Sequence, residues 1–139
     1  MKKRVYIETT IPSFYYEVRD EPDMLACRQW TREWWDVQSQ YYELVTSLAV
    51  VEELKRGDYP EKSKVLSLVS SIPILPIEEA IADIVEAYII HRVMPRDPVG
   101  DALHLALASF HHCDFLLTWN CQHLANANKF EHIRRVNAI

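Results

Sequence analysis

Four short apolar runs alternate with helix-length stretches, and this alternation constrains the chain more than any other feature. Val5–Glu8, residues 42–47 (YELVTS), residues 72–76 (IPILP) and residues 114–119 (DFLLTW) have the length and residue types of buried strands. A long helical stretch is expected from about Pro22, a favoured helix start, to Gln40, with Met24, Trp30, Trp34 and Trp35 giving it an aromatic-rich face. Ser47 reads as the N-cap of LAVVEELKRG and Gly57 as its stop, and a shorter helix follows over about Glu61–Ser70. Ile77, Ile81, Ile84, Val85, Tyr88 and Ile89 recur at spacings of three and four, which predicts an amphipathic helix ending near Arg92, before Pro95. A further helix starts at about Pro98 and is apolar on most sides, so it is expected to be buried. CQHLANANKF reads as helical, and HIRRVNAI as a last turn or strand. Strands alternating with helices predict an α/β fold whose parallel sheet is covered on both faces.

At 139 residues, 49% of them hydrophobic, the chain has the size of a single domain (1–139) able to bury a core without staples. No apolar run approaches the roughly 18 residues of a membrane span, and MKKRVYIETT lacks the long apolar region of a secretory signal. Cys27, Cys113 and Cys121 form no CxxC and are odd in number, so reduced thiols and a cytoplasmic location are expected. Cys113, Cys121, His111 and His112 fit no structural zinc spacing. With only Gly57 and Gly100, the chain has neither GxxxxGK[ST] nor GxGxxG, which excludes a glycine-rich phosphate loop. The formal net charge of −5 excludes a general nucleic-acid binder acting by bulk electrostatics. Any such role needs a metal or a local basic surface. Lys2-Lys3-Arg4, Lys55-Arg56 and Arg134-Arg135 are short groups that read individually as solvated charge.

Glu8 ends an apolar run that heads into the core, where an unpaired carboxylate is costly. It is either a polar cap on a strand end or one member of a convergent group. Ligands of parallel α/β sheets gather at the carboxyl ends of the strands. Glu53 lies in the helix after the second strand, Asp101 in the first turn of the buried helix, and Asn120 directly after the fourth strand. Carboxylates brought together repel unless a cation intervenes. Mg²⁺ and Mn²⁺ accept such oxygen ligands and can promote phosphodiester hydrolysis.

YIETT (6–10), TSLAVVEEL with Gly57 (46–57), GDALHLALA (100–108) and LLTWNCQHL (116–124) resemble, in order, the four motifs of PIN-domain ribonucleases. They are similar in particular to those of VapC-like toxins of toxin–antitoxin pairs. The resemblance implies a three-layer α/β/α sandwich with a central, mainly parallel sheet. It also implies a Mg²⁺- or Mn²⁺-dependent endoribonuclease acting on RNA. The family's acids fall on Glu8, Glu53 and Asp101 as metal ligands, and its fourth acidic position falls on Asn120. Its hydroxyls fall on Thr9 and Thr118. Expected partners are the RNA substrate, a second copy in a homodimer and a cognate antitoxin, with no membrane. Family members often carry one more strand after the region matching HIRRVNAI, and here that strand is expected to be short or missing.

Glutamate stands at position 8 where the family usually has aspartate, and Asn120 keeps an oxygen but loses a charge. These departures motivate the rival reading, a catalytically weak or inactive PIN-like module that binds RNA or protein. A phosphatase with a strand-end nucleophile usually needs Asp-x-Asp, which Glu8-Thr9-Thr10 does not supply. His104, three residues after Asp101, reads as a satisfied core histidine. The tryptophan-rich helix reads as core or subunit contact in preference to a base-stacking surface. Glu52 and Asp97 read as solvated, and His123 either lines the cleft or lies on a helix surface.

Overall fold

The computed structural model describes residues 2–91 and 99–120. CQHLANANKF, HIRRVNAI, Asp97 and His123, and the possible final strand, lie outside the described residues.

Strand β1 (Lys3–Ile7) runs from exposed Lys3 to buried Val5, Tyr6 and Ile7, so it enters the core at its carboxyl end. It pairs in parallel with β2 (Tyr42–Ser47) on one side and β4 (Phe115–Leu117) on the other, with Val5 opposite both Leu44 and Phe115. Strand β3 (Ile74–Leu75) pairs in parallel with the end of β2, giving the order β3-β2-β1-β4. A parallel sheet of this kind needs cover on both faces. Helices flank it in three layers, α/β/α, as expected. Because all four strands point the same way, the residues that follow β1, β2 and β4 meet along one edge of the sheet.

The helices are α1 (Thr10–Tyr15), α2 (Pro22–Glu33), α3 (Leu48–Lys55), α4 (Lys62–Ser70), α5 (Glu79–Ile90) and α6 (Val99–Phe110). Among them α1 packs on α2, α3 on α4, and α5 on α6. Ser47 caps α3 as its side chain predicts, its Oγ accepting from Val50 N. Gly57 follows the end of α3 with φ +71, a conformation that costs glycine little, and Lys62 Nζ donates to the Lys55 and Gly57 carbonyls there. In α6, Ala102, Leu105, Ala106, Leu107 and Ala108 are all buried, which matches its apolar surround. Its small side chains let α5 and the sheet approach closely.

Three features of the helices differ from, or add to, what the sequence predicts. The stretch from Pro22 does not run to Gln40 as one helix: α2 ends at Glu33, a π turn covers Trp34–Gln38, and a 3₁₀ turn covers Ser39–Tyr41. A π turn re-aims the side chains that follow it. Here Trp34 and Trp35, adjacent in sequence, both pack against the core, and Trp34 stacks on Tyr42 with ring centroids 5.8 Å apart. Helix α1 has no counterpart in the sequence reading, and it contains Pro12. Pro12 falls in the first turn, where its missing N–H is no loss. Ile77 precedes α5 and is exposed, while Ile81 and Tyr88 carry that helix's buried face. Among the described residues no helix is long and apolar enough to cross a membrane.

Candidate metal centre

Glu8 follows β1 directly and is 4% exposed, its N–H donating to the Leu117 carbonyl at the end of β4. Its Oε1 accepts from Thr10 N (3.1 Å), Thr10 Oγ1 (2.5 Å) and Thr118 Oγ1 (2.6 Å). Three donors on one oxygen fix the orientation of this carboxylate at the sheet edge. Thr10 Oγ1 also accepts from Trp119 N, and Thr118 Oγ1 from Asn120 N, both over 2.9 Å. The segment after β4 is therefore laced to the segment after β1.

Glu53 comes from the last turn of α3 and faces the same edge. Its Oε2 accepts from Thr9 Oγ1 (2.5 Å), and its Oε1 stands 2.9 Å from His104 Nε2. Burial pushes the Glu53 carboxyl up, but the His104 and Thr9 hydrogen bonds and the charges of His104 and Arg56 outweigh it. The net result lies below the ordinary glutamate range.

His104, 1% exposed, reaches this edge from α6. Its Nδ1 lies 2.7 Å from Tyr6 Oη, which lies 2.7 Å from Ser47 Oγ, the N-cap of α3. Burial holds the Tyr6 phenol far above its usual range, so it serves as a neutral hydroxyl. One ligand atom each from Glu8, Glu53 and His104 lie within 4.8 Å of one another. These residues can hold a metal ion.

Asp101 is 8% exposed, and its Oδ2 is buried without a hydrogen-bond partner among the described residues. Its carboxylate is not a member of the mutually close set, although it lies one helical turn before His104 on α6. A buried carboxylate oxygen without a donor is costly, and a cation nearby would offset that cost. The donor set of two carboxylates and an imidazole, with that oxygen beside it in the chain, fits a divalent cation.

The structure thus brings together Glu8, Glu53, Thr9 and Thr118 of the residues singled out in sequence, and leaves Asp101 outside the closest group. Asn120 is half-buried just after β4, its backbone N–H held by Thr118. Sequence reasoning did not include His104 or Thr10. His104 is a satisfied buried histidine, as read, and it also faces Glu53. The Asp101–His104 spacing of one helical turn was the available signal.

A cleft of about 430 Å³ opens beside Glu53, with Thr9, Tyr16, Arg19, Arg56 and Tyr59 among its walls. A second, smaller pocket of about 210 Å³ is lined by Ile11, Trp30, Thr31, Trp34, Leu117, Thr118 and Trp119. Thr118 belongs to both this pocket and the Glu8 carboxylate's shell. Trp30 is 58% exposed and stacks on Trp119, with centroids 6.0 Å apart and planes 19° apart. No family model matches the chain, and no curated protein and no solved structure matches it.

Proposed function

We propose that the protein is a divalent-metal-dependent endoribonuclease that hydrolyses RNA phosphodiester bonds, a PIN-like enzyme using Mg²⁺ or Mn²⁺. Its setting in this proposal is the toxin half of a toxin–antitoxin pair, working as a homodimer in the cytoplasm and held in check by an antitoxin protein. The observation that carries the reading is the meeting of Glu8 and Glu53 at one sheet edge, each with a threonine hydroxyl on one carboxylate oxygen.

In this reading Glu8 and Glu53 hold the cation and Asp101 adds the third negative charge nearby. A cation held there would supply Lewis-acid stabilisation of the phosphoryl oxygens and would lower the pKa of a water. Thr10 and Thr118 fix the Glu8 rotamer through hydrogen bonds to one carboxylate oxygen, and Thr9 fixes that of Glu53 and helps hold it ionised. Asn120, anchored through Thr118, orients a water or substrate oxygen. Two features support a single-stranded RNA as substrate despite the acidic net charge. Arg19 and Arg56 line the cleft beside Glu53, although Arg19 also pairs with Glu17 at 2.7 Å. The exposed face of Trp30, next to Thr118, suits an unpaired base.

The test is incubation of a mixed RNA pool with Mn²⁺, comparing the wild type with Asp101→Asn and with an EDTA control. Cleavage by the wild type that both controls abolish is the expected result. Cleavage that survives EDTA overturns metal dependence. The rival, an inactive PIN-like binding module, is favoured by one observation: Asp101 stands outside the closest ligand set. Calorimetry separates the two, because the module binds RNA or protein without binding Mn²⁺.

A further inference from the structure

We propose that His104 Nε2 is itself a metal ligand, completing with Glu8 and Glu53 a two-carboxylate, one-imidazole site that takes a transition-metal dication of the Mn²⁺, Fe²⁺, Co²⁺ or Zn²⁺ class and discriminates against Mg²⁺. The inference deepens the proposed function by naming the ion class, and it rests on that reading only for the presence of an ion.

Four observations carry it. Glu53 Oε1 and His104 Nε2 stand 2.9 Å apart, and the three donors lie within 4.8 Å of one another. Neighbouring donors on one ion, each with a bond of about 2.1 Å, are separated by about 3 Å. The Glu53–His104 pair already has that spacing. Next, every member has an outer partner that fixes it: Thr118 and Thr10 on Glu8, Thr9 on Glu53, and Tyr6 on His104 Nδ1. Metal-binding histidines characteristically have their second nitrogen engaged in this way.

Third, the partner of Nδ1 is a hydroxyl. A carbonyl oxygen can only accept and an N–H can only donate, whereas the Tyr6 hydroxyl can do either. Without an ion, Nε2–H donates to Glu53, and Nδ1 accepts from Tyr6 in the neutral ring or donates to it in the charged one. With an ion on Nε2, the ring proton moves to Nδ1 and Tyr6 Oη accepts it, turning its own proton to Ser47 Oγ, 2.7 Å away. The buried chain Ser47–Tyr6–His104 therefore serves both tautomers without moving a heavy atom. Fourth, Asp101 Oδ2, buried one turn earlier on the same helix, has no hydrogen-bond partner among the described residues, and a cation at this end of α6 would balance it.

The ion class follows from donor chemistry. Mg²⁺ is a hard ion that keeps oxygen ligands and several waters, while imidazole suits Mn²⁺, Fe²⁺, Co²⁺ and Zn²⁺. Two carboxylates balance the charge of a dication, and a neutral imidazole adds a donor without further repulsion.

The test uses the full chain, stripped with chelator and free of RNA. Titration calorimetry with Mn²⁺ and with Mg²⁺ is expected to give at least tenfold tighter binding of Mn²⁺. Pulsed EPR of the Mn²⁺-loaded wild type is expected to reveal coupling to an imidazole nitrogen. His104→Gln is expected to weaken Mn²⁺ binding ten- to hundredfold or more and to abolish that coupling, while Tyr6→Phe weakens it roughly tenfold. Absence of nitrogen coupling in the wild type overturns the proposal, and that readout needs no variant to fold. Equal affinity for Mg²⁺ and Mn²⁺, or unchanged Mn²⁺ binding by a folded His104→Gln, also overturns it. The nuclease reading fails separately: His104-dependent Mn²⁺ binding with no RNA cleavage leaves this site standing, and Mg²⁺-supported cleavage by His104→Gln leaves the nuclease standing without it.

Discussion

Thr118 Oγ1 donates to Glu8 Oε1 over 2.6 Å, tying the residue after β4 to the residue after β1. The same oxygen accepts from Asn120 N, so one hydroxyl sets both a carboxylate rotamer and the path of the chain leaving the sheet. Thr118→Val keeps the shape and removes both bonds. A hydrogen bond to a charged group contributes about 1.5–3 kcal/mol, so a loss of about that size is expected in urea denaturation. Thr118→Ser is expected to retain most of the stability. Equal losses in the two variants would assign the effect to packing of the threonine methyl.

The depressed Glu53 carboxyl makes a pH prediction with a definite sign. Its folded form is held ionised by His104, Thr9 and Arg56 against the penalty of burial. A carboxyl whose folded pKa is lowered stabilises the protein above the ordinary glutamate pKa of about 4.3 and loses that contribution as pH falls through the folded value. The stability gap between wild type and Glu53→Gln is therefore expected to be full near neutrality and to shrink below about pH 4.3. Chemical denaturation across pH 3 to 7 measures it. A gap that widens on acidification would reverse the sign and remove the ionised carboxylate from the site's stability.

How far the site was legible follows from how local each signal is. Strand β2 and its cap were readable because YELVTS ends in a serine at the helix start, all within a few residues. The meeting of Glu8 with Thr118 followed from the parallel topology, since every strand ends on the same edge. Helix α1, six residues long with Pro12 in its first turn, is too short to show an apolar period. The His104–Glu53 contact joins residues 51 apart through the phase of α6 against α3, and no local pattern encodes that phase. Asp101 and His104 were both visible at helical spacing, but which of them comes nearest the carboxylates is decided by packing alone.

Ser47 joins two jobs that a single substitution removes together. Its Oγ accepts from Val50 N at the start of α3 and bonds the Tyr6 hydroxyl at 2.7 Å, deep in the core. Loss of an N-cap costs about 0.5–2 kcal/mol, and a buried hydroxyl left with one partner fewer adds to that. Ser47→Ala is expected to lower stability by about 2 kcal/mol, while Ser47→Thr is tolerated only if the added methyl finds room in a fully buried position. Thermal melting of both variants measures this. A neutral Ser47→Ala would mean that neither the cap nor the bond to Tyr6 contributes measurably to stability.

Trp30 makes the complementary case, a large side chain with little to do for stability. It is 58% exposed, and its partner Trp119 is fixed independently by an indole hydrogen bond to Thr31 Oγ1 at 2.8 Å. Removing an exposed side chain of this kind is expected to change stability by about 0.5 kcal/mol or less. If the exposed ring stacks on an RNA base, Trp30→Ala loses about 1–3 kcal/mol of binding, roughly five- to more than a hundredfold in affinity for a short single strand. Trp30→Phe keeps an aromatic face and is expected to recover part of it. Intrinsic tryptophan fluorescence quenched by oligonucleotides in the presence of EDTA gives the affinities without cleavage. Binding equal to wild type in Trp30→Ala would reassign this face to contact with protein, and a drop in melting temperature of several degrees would return Trp30 to a structural role.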